Sequence, residues 1–329
     1  ELLFREGEPC EAARLQESAR ILRASGTLRS AEIFATPAVD SGVDVRVLTR
    51  DDWSLRASLS FHGGDVRRFR LAEENFTGRA IRLQARYVNF PFAEHPGFDV
   101  SALDHQFFGR HDAELLLGTS IVGPTVEQSV LRPFRSEFDR TAWRESARYR
   151  KEPFYFRSTA IGTVAQPLVL FGGDVGAAMR FGAPGRLTIV GAALSGERLY
   201  IEGQPFAVEP ADDSAAVAAL AGRFTERRRV RAHLLLGARK LRFATHRGVD
   251  AVNAPEDIRE GVEAGLVRGK SLVGGAGRQH DWFGAGELFW GHAFGRRTLV
   301  FARGKAEGRW LQRESRWDGV IAAGDLVTY

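Results

Sequence analysis

From Leu55 onward the chain keeps apolar and polar residues in strict alternation, segment after segment, and this restricts the folds open to it more than any other feature. Leu55, Ala57, Leu59 and Phe61 interleave with Arg56, Ser58 and Ser60. Ile81, Leu83, Ala85 and Tyr87 interleave with Arg82, Gln84 and Arg86. Trp143, Ala147 and Tyr149 interleave with Arg144, Ser146 and Arg148, and Val230, Ala232, Leu234 and Leu236 with Arg229, Arg231 and His233. A period of two describes a strand with one face turned to an apolar environment. The polar face is repeatedly arginine, with Glu and Gln, where a water-facing sheet would mix Lys, Glu, Thr and Ser. A transmembrane β-barrel has this pattern: a charged lumen and a lipid-facing band edged by aromatics.

The remaining bulk properties agree. No run of eighteen or more apolar residues occurs, so a membrane-spanning helix is excluded. Cys10 is the only cysteine, which removes an internal disulfide and a cysteine-built metal centre. The formal charge of +5 comes mostly from scattered arginines, with no basic helix, so nucleic acid is not an expected partner. Six arginines, Arg82, Arg86, Arg144, Arg148, Arg229 and Arg231, are expected to face the lumen. Phe90, Phe92, Phe98, Phe107, Phe108, Phe134, Phe154, Tyr155, Phe156, Trp282, Phe289, Trp290 and Trp310 fall near predicted strand ends and are read as interfacial girdles.

Glycine-containing breaks at 63–64, 75–78, 108–110, 123–124, 172–173, 182–185, 203–205 and 274–277 are read as turns or loops. They leave about a dozen strands or slightly more, several of roughly nine to eleven residues, the length a bilayer demands. Residues 212–223 carry Ala216, Val217 and Leu220 on a helical spacing and predict a short helix in a longer connection.

The first fifty residues differ. Leu2-Leu3-Phe4 reads as a short strand and Gly7-Glu8-Pro9 as its turn. Glu11 to Ala24, with Leu15, Ala19 and Leu22 on a helical period, reads as a helix closed at Ser25-Gly26. Ala31 to Thr36 and Val43 to Thr49 read as strands.

This order resembles a POTRA domain of the BamA/TamA outer-membrane assembly superfamily. The matching residues are Leu3-Phe4-Arg5-Glu6-Gly7-Glu8, Leu15-Gln16-Glu17-Ser18 with Ile21-Leu22-Arg23, and Val45 to Trp53. Further on, Glu73-Glu74-Asn75-Phe76-Thr77-Gly78-Arg79, Arg132-Pro133-Phe134 and Asn253 to Gly261 resemble segments of the surface-antigen-type barrels in that superfamily. The superfamily's Arg-Gly-aromatic loop tip has no counterpart: Arg268-Gly269-Lys270 and Arg303-Gly304-Lys305 lack the aromatic and sit in strand-like sequence. The resemblance implies a small α+β POTRA domain over residues 1–53. An antiparallel transmembrane barrel would follow over 54–329, short of the family's sixteen strands, with the chain a fragment that lacks a leader, the final strands and the loop.

Function follows from the resemblance as an expectation. The protein would sit in the bacterial outer membrane with the POTRA unit in the periplasm. It would assist insertion or translocation of unfolded outer-membrane or secreted proteins, or of lipid, with other assembly subunits as further partners. Client strands would add to the edge formed by Ala31, Glu32, Ile33, Phe34 and Ala35. Asp51, Asp52 and Trp53 would join the two units, and Leu55, Ala57, Leu59 and Phe61 would line a lateral seam. The alternative is a passive arginine-lined pore, or the barrel anchor or exporter of an upstream phospholipase-type domain. No catalytic constellation, cofactor or metal is expected. His95, His105 and His111 near Asp99, Asp104 and Asp112 fit no ligand spacing, and Glu73 and Glu74 point to opposite faces of a strand.

Overall fold

The computed structural model describes residues 2–39, 42–89, 95–159, 162–208, 214–220, 222, 224–249, 255–274, 281–295 and 298–329. It opens with helix α1 (Ala12–Ala24) and an antiparallel pair, β1 (Leu28–Pro37) and β2 (Val43–Asp51). Leu15, Ala19 and Ile21 of the helix are buried, and α1 packs on β1, where Ala31 is fully buried. Gly26, at φ +74°, takes the left-handed turn that ends it. The strand expected at Leu2-Leu3-Phe4 is absent. The Leu3 N–H donates to Ser18 Oγ (2.9 Å), and Ser18 donates to the Arg14 carbonyl (2.7 Å), so the helix takes up the donor that a strand would have used.

Fourteen strands then pair in one antiparallel path. They are β3 (Leu55–His62), β4 (Asp65–Phe76), β5 (Ile81–Val88), β6 (Gly97–Phe107), β7 (His111–Ser120), β8 (Gly123–Arg132), β9 (Thr141–Ser158), β10 (Gly162–Ala183) and β11 (Arg186–Ile201), followed by β13 (Arg227–Arg247), β14 (Pro255–Gly274), β15 (Asp281–Phe294), β16 (Thr298–Leu311) and β17 (Arg316–Thr328). Between β11 and β13 lie the two-residue β12 (Phe206–Ala207), paired with β10, and the short helix α2 (Ser214–Ala218). Among the described residues this sheet has fifteen strands, where a dozen or slightly more were expected, and it is open: β3 and β17 do not pair with one another. Several strands exceed the expected nine to eleven residues; β9, β10, β13 and β14 run to 18, 22, 21 and 20.

Register sorts the side chains onto two faces. One row runs Ala57, Leu71, Ala85, Val100, Leu117, Val126, Tyr149 across β3 to β9, and another runs Met179, Val190, Leu236, Leu266, Gly286, Ala306, Ala322 across β10 to β17. These residues lie on the face that carries most of the large exposed hydrophobics, among them Leu117, Val126, Leu236 and Leu266. The opposite face carries rows such as Ser146, Asp174, Ser195, Arg231, Ser271.

The sheet is curved around its polar face. Arg135, in the β8–β9 connection, donates to the His105 carbonyl on β6 and to Asp112 on β7, while Glu137 binds Arg239 on β13. In a flat sheet β6 and β13, six steps apart, would be separated by roughly 29 Å. Arg135 and Glu137 are about 7 Å of chain apart. Both contacts are met only if the sheet wraps around this segment.

Gly172 and Gly173, read above as a turn, lie inside β10, opposite Arg148 and Ala147 on β9 and Glu197 and Gly196 on β11. A Cβ on Gly173 would run into the Ser146 carbonyl, whereas one on Gly196 meets nothing within 4 Å. Gly173→Ala is expected to cost about 1–3 kcal/mol in denaturant unfolding. Gly196→Ala, at its register partner, is expected to be neutral or slightly stabilising. Equal effects would show that backbone approach does not set this position. Gly274 closes β14; residues 275–277 of the expected loop, and Phe90 and Phe92, lie outside the described residues.

Candidate functional site: the helix-capped end of the sheet

One end of the curved sheet carries α1 and the connection Pro133–Arg140, and charged side chains lock the two together. Glu17, buried although charged, accepts both Nε and Nη2 of Arg20 (2.7 Å each) and the backbone N–H of Glu137 (2.7 Å). Arg20 also donates to the Arg135 carbonyl (2.8 Å) and stacks over Phe243 on β13 (4.4 Å). Burial works against the Arg20 charge, but the hydrogen bond and charge of Glu17, with Glu137 and Asp257 nearby, raise its pKa above the ordinary guanidinium value. Arg23, one turn on, grips Asp257 of β14 with two bonds (2.7 and 2.8 Å). Glu137 itself accepts Arg239 and the Gly185 N–H (3.0 Å). Arg180 reaches the Ser136 carbonyl (3.0 Å) and lies over Phe134 (3.8 Å).

This cluster packs the N-terminal unit against the sheet, while Asp51-Asp52-Trp53 lie in the chain connection between β2 and β3. Those three residues are exposed; Asp52 pairs with Arg56 (3.2 Å) and Trp53 projects into solvent. Sequence reading missed this packing contact because its partners are more than a hundred residues apart. A signal was present in Glu17 and Arg20, which interrupt the apolar stripe of α1, and in the dense charges of Arg135-Ser136-Glu137-Phe138-Asp139-Arg140.

Beside α1 lies a cleft of about 860 Å³ between the helix, the outer edge of β1 and the rim of the sheet. Glu32, Ile33, Phe34 and Ala35 line it, with Phe138, Pro184 and Phe243 opposite. The Ala38 N–H to Gly42 carbonyl bond (3.0 Å) marks a hydrogen-bonded pair at the β1–β2 turn. Alternation then turns the backbone groups of Ile33 and Ala35 away from β2 to the outer edge. At Ala31 the carbonyl is already occupied by Arg23 (2.7 Å), and the side chain is fully buried. The edge that remains open is therefore the Ile33–Ala35 half of the expected one.

Leu55, Ala57, Leu59 and Phe61 are exposed on the apolar face of β3, at one unpaired end of the sheet. All six expected lumen arginines share the polar face, each within reach of a carboxylate. Arg82 lies 3.8 Å from Glu114, Arg86 2.8 Å from Asp99, Arg144 2.6 Å from Asp174 and Arg148 3.8 Å from Glu197. Arg229 and Arg231 both reach Asp281 (4.0 and 2.9 Å). The lining is thus charge-compensated across strands, unlike the bare positive wall that a passive anion pore would use.

Of the expected girdle aromatics, Phe98, Phe154 and Tyr155 are exposed, and Trp282, Trp290 and Trp310 share the apolar-face register. Three belong elsewhere. Phe134 lies under Arg180, Phe156 packs on Val164, and Phe289 is buried on the polar face beneath Arg259 (4.4 Å). His105 pairs with Asp112 (2.9 Å), and among the described residues no three His, Cys, Asp or Glu side chains are placed to hold a metal ion.

No protein-family model matches the chain, and no curated protein matches it. Among solved structures, the chain is similar to a crystal structure of BamA from Haemophilus ducreyi lacking POTRA domains 1–3, at 10% identity and a TM-score of 0.40. The match covers 94% of this chain and 51% of that one, so the chain spans about half its length.

Proposed function

We propose that this chain is an outer-membrane β-barrel protein that assists insertion or translocation of client proteins, or of lipid, at the bacterial outer membrane. The observation that carries this reading is the apolar face, continued from β3 to β17 and largely exposed, opposite a charged and internally paired one. Water does not tolerate an apolar surface of that extent, whereas lipid requires it. In this reading residues 1–53 act as a POTRA-like periplasmic module and 54–329 as the barrel. The unpaired edges of β3 and β17 form the lateral seam, along Leu55, Ala57, Leu59 and Phe61. The client is an extended, unfolded segment that adds to β1 at Ile33–Ala35, inside the cleft beside α1.

Proline discriminates this docking mode. At Ile33 the N–H faces outward, so Ile33→Pro removes a docking donor and leaves the β1–β2 ladder whole. At Phe34 the N–H faces β2, so Phe34→Pro breaks the pair itself. With a photo-crosslinkable alternating apolar–polar peptide as probe, Ile33→Pro is expected to abolish crosslinking to β1 while thermal stability holds. Unchanged crosslinking in Ile33→Pro would rule out strand addition at this edge.

A further inference from the structure

Four cations stand on the apolar face of the sheet at the end remote from α1, and among the described residues none of them pairs with a carboxylate. They are Arg198 on β11, Arg228 on β13, and Arg268 and Lys270 on β14. We propose that they bind the phosphorylated headgroups of anionic lipid in the leaflet on that side of the membrane. The proposal rests on the membrane reading of the apolar face; on a wet surface these side chains would be solvated and carry no meaning.

Register places all four in the lipid-facing series. Arg268 and Lys270 stand between Leu266 and Leu272, alternate residues of β14 that are both exposed. Arg198 and Arg228 are register partners of one another, beside the exposed Phe171 of β10. A cation set among lipid-facing apolar residues is costly without a counter-ion, and like charges directly opposite in a ladder add to that cost. Elsewhere this chain matches its cations. Each of the six lumen arginines has a carboxylate within 4.0 Å. Toward the α1 end of β13 and β14, Arg242 and His246 share Glu260 (2.6 and 3.3 Å). At the remote end an anionic headgroup supplies the counter-ion.

Aromatic rings hold three of the cations at one level. The Arg268 guanidinium lies 4.6 Å and the Lys270 ammonium 5.1 Å from the centre of the Trp282 ring, and Arg198 lies 4.1 Å from that of Tyr200. Trp282 is in register with Trp310, whose ring meets Trp317 at 5.7 Å. Such amphipathic rings settle at the headgroup level of a bilayer, where phosphoryl oxygens lie. A cation propped against one of them is already oriented, which lowers the entropy lost on binding.

Position selects the leaflet. Lys270 lies thirteen residues beyond Asp257, the residue of β14 that α1 grips, or about 43 Å along the strand. At a tilt of about 40° that is a rise of about 33 Å, close to the hydrocarbon thickness. The cations and α1 therefore belong to opposite interfaces, and the lipid bound is that of the leaflet away from the N-terminal unit.

The test uses the full chain refolded into vesicles of phosphatidylcholine, alone or mixed with phosphatidic acid, one lipid of the mixture being brominated in each sample. Bromine quenches the tryptophans it touches, so the samples give the association of the anionic lipid relative to the zwitterionic one. Wild type is expected to favour phosphatidic acid. Arg268→Gln with Lys270→Gln is expected to lower that preference about fivefold for each cation removed, and each single variant by one such step. With Tyr200→Trp as a local reporter, Arg198→Gln is expected to lower it by the same step. Arg46→Gln removes a charge from the N-terminal unit and is expected to change nothing; heat-modifiable migration checks that each variant folds. Insertion into phosphatidylcholine with no preference for phosphatidic acid, or a preference that survives in the double variant, overturns the proposal and leaves the membrane reading standing. Failure of wild type to insert into any of these vesicles removes the membrane reading itself, and the proposal with it.

Discussion

Glu137→Ala is expected to destabilise the folded protein by about 3–5 kcal/mol and to release α1 from the end of the sheet. Glu137 is 6% exposed and joins three partners from separate parts of the chain. It accepts Arg239 of β13 and the Gly185 N–H of the β10–β11 turn, and its own N–H donates to Glu17 of α1. Deleting its carboxylate leaves Arg239 charged, desolvated and without its counter-ion, next to a second cation, Arg180, with which it already interacts electrostatically. An uncompensated buried charge costs about that much, several times what an exposed pair contributes. Glu137→Gln keeps an acceptor for Gly185 but not the charge, so an intermediate loss is expected. Glu11→Ala breaks an exposed pair with Arg14 and should cost no more than about 0.5 kcal/mol. Denaturant unfolding gives the energies, and limited proteolysis after α1 gives the release. If Glu137→Ala unfolds like wild type and α1 stays protected, the helix is not held by this cluster.

What could be read in the sequence was whatever repeats locally. Leu55 to Phe61 declares itself a strand by its alternation, and β3 extends one residue past it. Glu11 to Ala24 declares a helix, and α1 starts one residue later. The sorting of Arg82, Arg144 and Arg231 onto one face follows from the same period of two. The misreadings have a common origin in contacts between distant segments. Gly172-Gly173 has the composition of a turn, yet neither glycine has a positive φ; Gly173 is small because the Ser146 carbonyl passes close by. Phe134 sits in a strand connection, where an interfacial aromatic is expected, and its place under Arg180 depends on a residue 46 positions away. The contact at Glu17, Arg20 and Glu137 showed in the sequence only as charges out of pattern, because its geometry exists only once the sheet has curved.

A single arginine placed at adjacent positions of β13 tests whether the apolar face meets lipid. Leu236 lies on the row Met179, Val190, Leu236, Leu266 and is 42% exposed. Leu235, its neighbour, faces the other way, among Ile189, Glu263 and Glu287 around a cavity of about 640 Å³. If the outward face lies in hydrocarbon, Leu236→Arg should cost about 2–4 kcal/mol of folding in lipid. The folded fraction recovered in vesicles should then collapse. Leu235→Arg would put its guanidinium near carboxylates and water and should fold with a smaller loss. If the sheet were a water-soluble fold, the order would reverse, because an exposed Leu replaced by Arg on a wet surface changes stability little. The one carboxylate between Val130 and Val175 on this face, Glu145, already behaves as lipid would require. It is held by Gln128 Nε2 at 2.6 Å, on the strand beside it, and so is not left bare. Heat-modifiable migration and protease protection after refolding into vesicles measure both variants in one experiment. Insertion of Leu236→Arg at the wild-type level would remove the observation on which the membrane reading rests.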